Sequence, residues 1–185
     1  MSTCNLKATG CQELFLSTLM PGDVLVSFKP SNVMSNIIAD VTNSEWSHCF
    51  IYRGNGEILE SALDKDFWGV QVNPIAHYLN GEYVLGVFRM KPELYELHAK
   101  GLVKKSEQLL GIRYSFIQLV WQLIIRAFGK NETKKFQVDV SEGMTCSEAL
   151  AKALKLEGLD LKPNMNPSGA EPEDVVESTL FVRIL

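Results

Sequence analysis

Ser47-His48-Cys49-Phe50-Ile51-Tyr52-Arg53-Gly54-Asn55-Gly56-Glu57-Ile58-Leu59-Glu60-Ser61-Ala62-Leu63 consists of two β-rich runs joined by an asparagine between glycines. Gly and Asn enter left-handed turns at least steric cost, so the stretch predicts a β-hairpin with strands over 47–53 and 57–63. The pairing can be counted from the loop. A three-residue loop Gly54-Asn55-Gly56 sets Arg53 against Glu57, Phe50 against Glu60 and His48 against Ala62. Side chains alternate faces, so His48, Phe50, Glu60 and Ala62 then share one face, with Glu60 about 7–8 Å diagonally from His48. A two-residue loop would put Glu60 on the other face, so loop length decides whether the imidazole and the carboxylate meet. Such a pair also fits an ordinary buried contact in which each group satisfies the other. Cys49 falls on the opposite face from His48 and reads as a packing residue.

Outward from the hairpin, strands and helices mix without a linker or repeat. Upstream, a short helix is expected around 13–19, then the turn Pro21-Gly22-Asp23 and a buried strand Val24-Leu25-Val26-Ser27-Phe28. Ser31 reads as the N-cap of a helix carrying Val33, Met34, Ile37, Ile38 and Val41 at helical spacing. Downstream, strands are expected over 69–72 and 83–90, followed by a helix from Pro92 to about residue 110, stopped by Gly111. Residues 112–128 are the least polar part of the chain, yet they carry Arg113 and Arg126 and fall short of the roughly 20 apolar residues that span a bilayer. With Gln118, Gln122 and Arg126 four apart, this reads as a core helix, or as one that touches lipid, a partner chain or an apolar substrate. A polar loop over 130–135, a short strand over 136–140, a helical turn at Pro172 and a final strand over 180–185 complete an α+β domain spanning 1–185, with 112–143 as an apolar helix and loop insertion.

Met144-Thr145-Cys146-Ser147-Glu148-Ala149-Leu150 opens a further helix, expected to run to about residue 157 and stop at Gly158. Thr145 and Glu148 have capping-box spacing, which puts Cys146 at the first helical position. There the unpaired backbone N–H groups and the helix dipole favour thiolate over thiol, although a buried inert cysteine fits the same residues. A thiolate nucleophile needs a base and a group to orient that base. His98 lies mid-helix among Glu96 and Lys100 and reads as a solvated surface residue, and His77 beside Pro74 has no evident partner. His48, with Glu60 across the hairpin, is the base the counting supports.

Composition limits the function classes. Hydrophobic residues make up 46% and charged residues 22% of 185, and the net charge of −4 gives no footprint for nucleic acid. The N-terminus lacks a basic start and apolar run, so cytoplasmic synthesis is expected, with export by another route or virion association left open. Cys4, Cys11, Cys49 and Cys146 form no C-x-x-C pair and no zinc spacing, so no metal and no cofactor is expected, and four free thiols fit a reducing compartment.

Pro21-Gly22-Asp23 before a strand, Ser47-His48 with Ile51-Tyr52, Glu60-Ser61-Ala62, Gly111 with Tyr114, Cys146-Ser147-Glu148 at a helix start, and Pro172-Glu173-Asp174-Val175 with Ser178 together resemble the permuted NlpC-like group of papain-fold cysteine hydrolases, the YiiX/YaeF-like group. The resemblance covers roughly Pro21 to the C-terminus. It implies a circularly permuted papain-like fold, an antiparallel sheet or barrel packed against helices. It also implies Cys146 as nucleophile, His48 as general base and acid, Glu60 as orienting residue and Tyr114 at the substrate. A peptide, amide or acyl-lipid substrate follows by the same analogy. Two rivals stay open: a papain-like scaffold used for binding or within a larger assembly, touching membrane or protein through the stretch from Phe116 to Phe128, and acyl transfer to an amine or alcohol.

Overall fold

A computed structural model describes residues 9–63, 67–114 and 143–185. Among these, six strands form one antiparallel sheet: β1 (Val24–Phe28), β2 (His48–Gly54), β3 (Glu57–Leu63), β4 (Trp68–Pro74), β5 (Val84–Met90) and β6 (Phe181–Arg183). Their order is β4-β3-β2-β1-β5-β6. Helices α1 (Thr9–Thr18), α2 (Val33–Thr42), α3 (Pro92–Glu107), α4 (Cys146–Leu156) and α5 (Pro172–Glu177) complete an α+β architecture, with 3-10 turns at Ile75–Tyr78 and Pro167–Gly169. None of the described helices is long and apolar enough to cross a membrane.

The central strands are apolar at consecutive positions because both sheet faces are covered. On one face, Val24, Val26, Cys49, Ile51, Leu59 and Val70 pack against Leu102 of α3 and Ala149, Leu150, Ala153 and Leu154 of α4. On the other, Leu25, Phe50, Tyr52, Ile58 and Val87 meet Leu19, Ile75, Tyr78 and Leu79, with Phe15 and Leu16 of α1 alongside. Each fully buried Leu, Ile, Val or Phe contributes roughly 1.5–3 kcal/mol, so β1 and β2, which feed both layers, anchor the fold.

The hairpin turn is tighter than its glycine spacing suggests. Gly54 lies opposite Glu57, leaving a two-residue loop of Asn55 (φ 54°) and Gly56 (φ 77°), both left-handed as a type I′ turn requires. That loop alone would turn Glu60 away from His48. Tyr52 nevertheless pairs with Ile58 and Ile51 with Leu59, because the register shifts between Tyr52 and Gly54. Arg53 is the extra residue of a β-bulge, and it restores the register expected of the three-residue loop.

At the other end of β1, the turn Pro21-Gly22-Asp23 is clamped. Asp23 is fully buried and takes two 2.7 Å bonds from Arg89 Nε and Nη2, while its Oδ2 accepts the Met20 N–H at 2.8 Å. Gly22 (φ 93°) sits so close to α3 that a Cβ would lie 2.9 Å from both Cβ and O of Ala99. A side chain there would meet strain and a clash at once.

Several sequence expectations need correction. Asn32, not Ser31, caps α2, its side chain accepting the Ser35 N–H, and α2 leaves Val33, Met34 and Ile37 exposed. Residues 112–114 are extended, not helical: Arg113 bridges Gly69, and the Tyr114 N–H bonds the Trp68 carbonyl at 2.9 Å. The rest of the apolar stretch to Phe128, including its surface from Phe116, lies outside the described residues, as do the loop over 130–135 and the strand over 136–140. Cys11 is disulfide-bonded, so the expectation of four free thiols fails, and Cys49 and Cys146 are the free cysteines among the described residues.

Candidate active site

Thr145 caps α4 as expected, its Oγ1 accepting the Glu148 N–H at 3.3 Å, and Cys146 is the first helical residue, only 8% exposed. The segment entering the helix is pinned on both sides. Ser61 Oγ donates to the Met144 carbonyl at 2.7 Å, the Met144 N–H donates to the Arg113 carbonyl at 2.9 Å, and Ser147 Oγ donates to the Ala170 carbonyl at 2.7 Å. Cys146 therefore faces the sheet at a fixed point, beside the first residues of β2.

His48 opens β2 and Glu60 lies mid-β3. His48 Nε2 and Glu60 Oε2 are 2.6 Å apart, with the His48 side chain 20% exposed and that of Glu60 2%. Nε2 is thus committed to the carboxylate, and the ring's Nδ1 is the nitrogen left for the sulfur. Glu60 is held by two further donors: Tyr78 OH to Oε2 at 2.6 Å and Asn73 Nδ2 to Oε1 at 2.9 Å. The Tyr78 ring also stacks beside His48, centroids 6.1 Å apart and 14° from parallel.

The electrostatics follow from these contacts. Burial works against the charged imidazole, but the neighbouring Cys146 and Glu60 outweigh it and push the His48 pKa up to about 10. Burial works against the Glu60 carboxylate too, and the bonds from His48, Tyr78 and Asn73 hold it below its usual value. The adjacent Cys49 thiol lowers Cys146 most, burial opposes it, and His48 adds to the lowering, leaving Cys146 well below an ordinary thiol. Cys49 moves the opposite way, pushed well up by Cys146 and then by burial. The favoured state is a thiolate–imidazolium pair backed by a carboxylate.

A cleft of about 470 Å³ opens beside this cluster. Met34 and Ile38 of α2, with Leu63 and Pro74, form apolar wall, while Lys29, Asn73, His77, Tyr83 and Tyr114 add polar groups. His48, Glu60 and Ser61 line it as well. Cys146 lines a separate void of about 10 Å³ together with Cys49, Glu60 and Ser61.

The geometry brings Cys146, His48 and Glu60 together and puts Tyr114 in the cleft wall. Cys49 packs in the core layer as expected, 1% exposed, and lines the same small void as Cys146. His77 has a partner after all, its Nε2 lying 3.2 Å from Tyr83 OH, and His98 is part-buried with Nδ1 3.3 Å from Glu157. Asn73 and Tyr78 were not anticipated. Extending the 69–72 strand by one residue would have revealed Asn73, which is diagonal to Glu60 because Glu60 pairs with Gln71. Tyr78 arrives from a 3-10 turn, which leaves no periodic signal in sequence.

Removing the Tyr78 hydroxyl leaves a buried carboxylate one donor short. Tyr78→Phe is expected to cost about 1–3 kcal/mol in urea unfolding, whereas Tyr83→Phe, at an exposed hydroxyl, stays within about 0.5 kcal/mol of the parent.

No protein-family model matches the chain, and no curated protein matches it in sequence. Among solved structures it is similar to the crystal structure described as the metalloprotein YiiX (DUF1105) from Escherichia coli O157:H7. The likeness has a TM-score of 0.61 at 16% identity and covers 90% of this chain and 96% of YiiX. The two share a fold over nearly their whole lengths.

Proposed function

We propose that the chain is a papain-like cysteine hydrolase of the circularly permuted NlpC type that cleaves an amide or ester bond through an acyl-enzyme. The reading rests on one observation above all: a lowered-pKa sulfur at a helix start, beside an imidazole that is itself 2.6 Å from a buried carboxylate. The Cys146 thiolate attacks the carbonyl carbon, and the oxyanion meets the Cys146 N–H at the start of α4, a donor type often worth about 10²–10³ in rate. Imidazolium His48 gives its proton to the leaving group. It then takes a proton from water, which attacks the thioester and frees the acid. Glu60 fixes the ring and its charge. Among the described residues no three His, Cys, Asp or Glu side chains stand together as an ion-binding group, and no step here passes through a metal.

The cleft's mixed lining, apolar along α2 and polar at Lys29, Asn73, His77, Tyr83 and Tyr114, suits a peptide or acyl-lipid substrate. Amide and ester acyl donors of graded chain length, quenched in acid, should leave their acyl mass on the peptide holding Cys146. Turnover without any acyl-Cys146, including under single-turnover conditions, would overturn the mechanism, and supplying an amine acceptor separates transfer from hydrolysis by product.

The pH dependence has a sign on each side. As pH falls below the lowered Cys146 and Glu60 values, the sulfur protonates and rate is lost. As pH rises through about 10, His48 loses the proton it must donate and rate is lost again. A kcat/KM profile with a broad plateau and an alkaline limb near pH 10 is expected; an alkaline limb near the free-imidazole value of about 6.5 would rule out the ion pair.

One observation favours a second reading. His48, Glu60 and Ser61 line the cleft but Cys146 does not; it lines a separate void of about 10 Å³, roughly the room of one water molecule. A cleft that binds without turnover fits that arrangement, and saturable ligand binding with no acyl-Cys146 would select it.

A further inference from the structure

His48 and Cys49 are neighbours in β2 whose side chains leave opposite faces of the strand, yet both reach Cys146. His48 does so from the cleft side. Cys49, 1% exposed, does so from within the core layer between β2 and α4, where it shares the small void with Cys146. The ionisable groups facing the two sulfurs are His48, Glu60 of β3, Tyr78, Tyr114 and Asp174 of α5. Only His48 brings positive charge to the Cys146 sulfur, while Glu60 and Asp174 act on Cys49 and suppress its ionisation. On the sulfur's inner side, in the void the two cysteines share, both the backbone and the thiol of Cys49 lower Cys146, and the thiol, its own ionisation suppressed, donates without competing for the charge.

We propose that Cys49 is a positioning residue of this site: its buried S–H donates to the Cys146 sulfur and keeps that sulfur ionised and fixed beside His48. The proposal rests on the reading of Cys146 as the nucleophile, but its test needs no turnover. Thiolate absorbance is titrated against pH in the full chain, with the Cys146 signal isolated by subtracting the matching Cys146→Ala protein. The parent midpoint is expected well below the ordinary thiol value of about 8.5. Cys49→Ala should raise it by about one pH unit, roughly a tenfold loss of thiolate in the acid range, and Cys49→Ser, which keeps a donor, should recover most of that shift. Should Cys49→Ala not fold, Cys49→Val, which fills the space without donating, is compared with Cys49→Ser instead. Donor-less variants that superimpose on the parent overturn the proposal. Hydrolysis absent from the parent with the midpoint shift present defeats the hydrolase reading alone; hydrolysis present with no shift defeats this one alone.

Discussion

Cys146→Ala abolishes acyl capture and lowers turnover by about four orders of magnitude or more, while the chain stays folded. The fold is expected to survive because the substitution removes a single sulfur at an 8% exposed position, and the pins on either side are unaffected: Ser61 on the Met144 carbonyl and Ser147 on the Ala170 carbonyl. The rate is not, because the other members of the cluster have no chemistry of their own. His48 is held protonated largely by the sulfur it faces, and without that charge it becomes an ordinary buried imidazole on a carboxylate. Combining His48→Ala with Cys146→Ala should therefore add little further loss, since the two act as one unit. Acyl mass on the protein, turnover and near-ultraviolet circular dichroism check this together. Residual turnover within about tenfold of the parent would assign the chemistry elsewhere.

The largest stability effect is expected far from the cleft. Arg89→Met leaves the Asp23 carboxylate, at 0% exposure, without the Arg89 countercharge and with the Met20 N–H as its remaining described donor. Breaking a buried pair on one side typically costs about 3–5 kcal/mol. Arg89 itself is part-exposed, with a 23% exposed side chain, so removing Asp23 instead strands a charge that can turn to water. The asymmetry is the check: in urea unfolding Arg89→Met should cost more than Asp23→Asn, and the double substitution should cost less than the sum of the two. Equal single costs would mean that Asp23 acts mainly as a backbone acceptor in the turn before β1.

Much of the site was legible because it depends on local rules. The Thr145 cap fixes Cys146 at a helix start, and alternation along β2 and β3 brings His48 and Glu60 to one face once the register is known. The hairpin's existence followed from Gly54-Asn55-Gly56, but its loop length did not, since the same three residues permit two loops. Asn73 and Tyr78 stayed hidden for different reasons: one lay just past an underestimated strand end, the other on a turn placed by tertiary packing. Alternation placed Cys49 correctly in the core layer, but it says nothing of what lies across that layer, and the small void Cys49 shares with Cys146 depends on where α4 starts. The Cys11 bridge could not be read from spacing that matches no known ligand or disulfide pattern.

The bulge at Arg53 makes the site a matter of parity. Whether the imidazole and the carboxylate meet depends on whether an even or an odd number of residues separates them around the turn, and Arg53 is the residue that sets the count. Its side chain pairs with the part-exposed Glu57 and Glu107 at the surface, so the site depends on the number of residues here and not on which residue this is. Along this hairpin, length constrains the site more tightly than residue identity does.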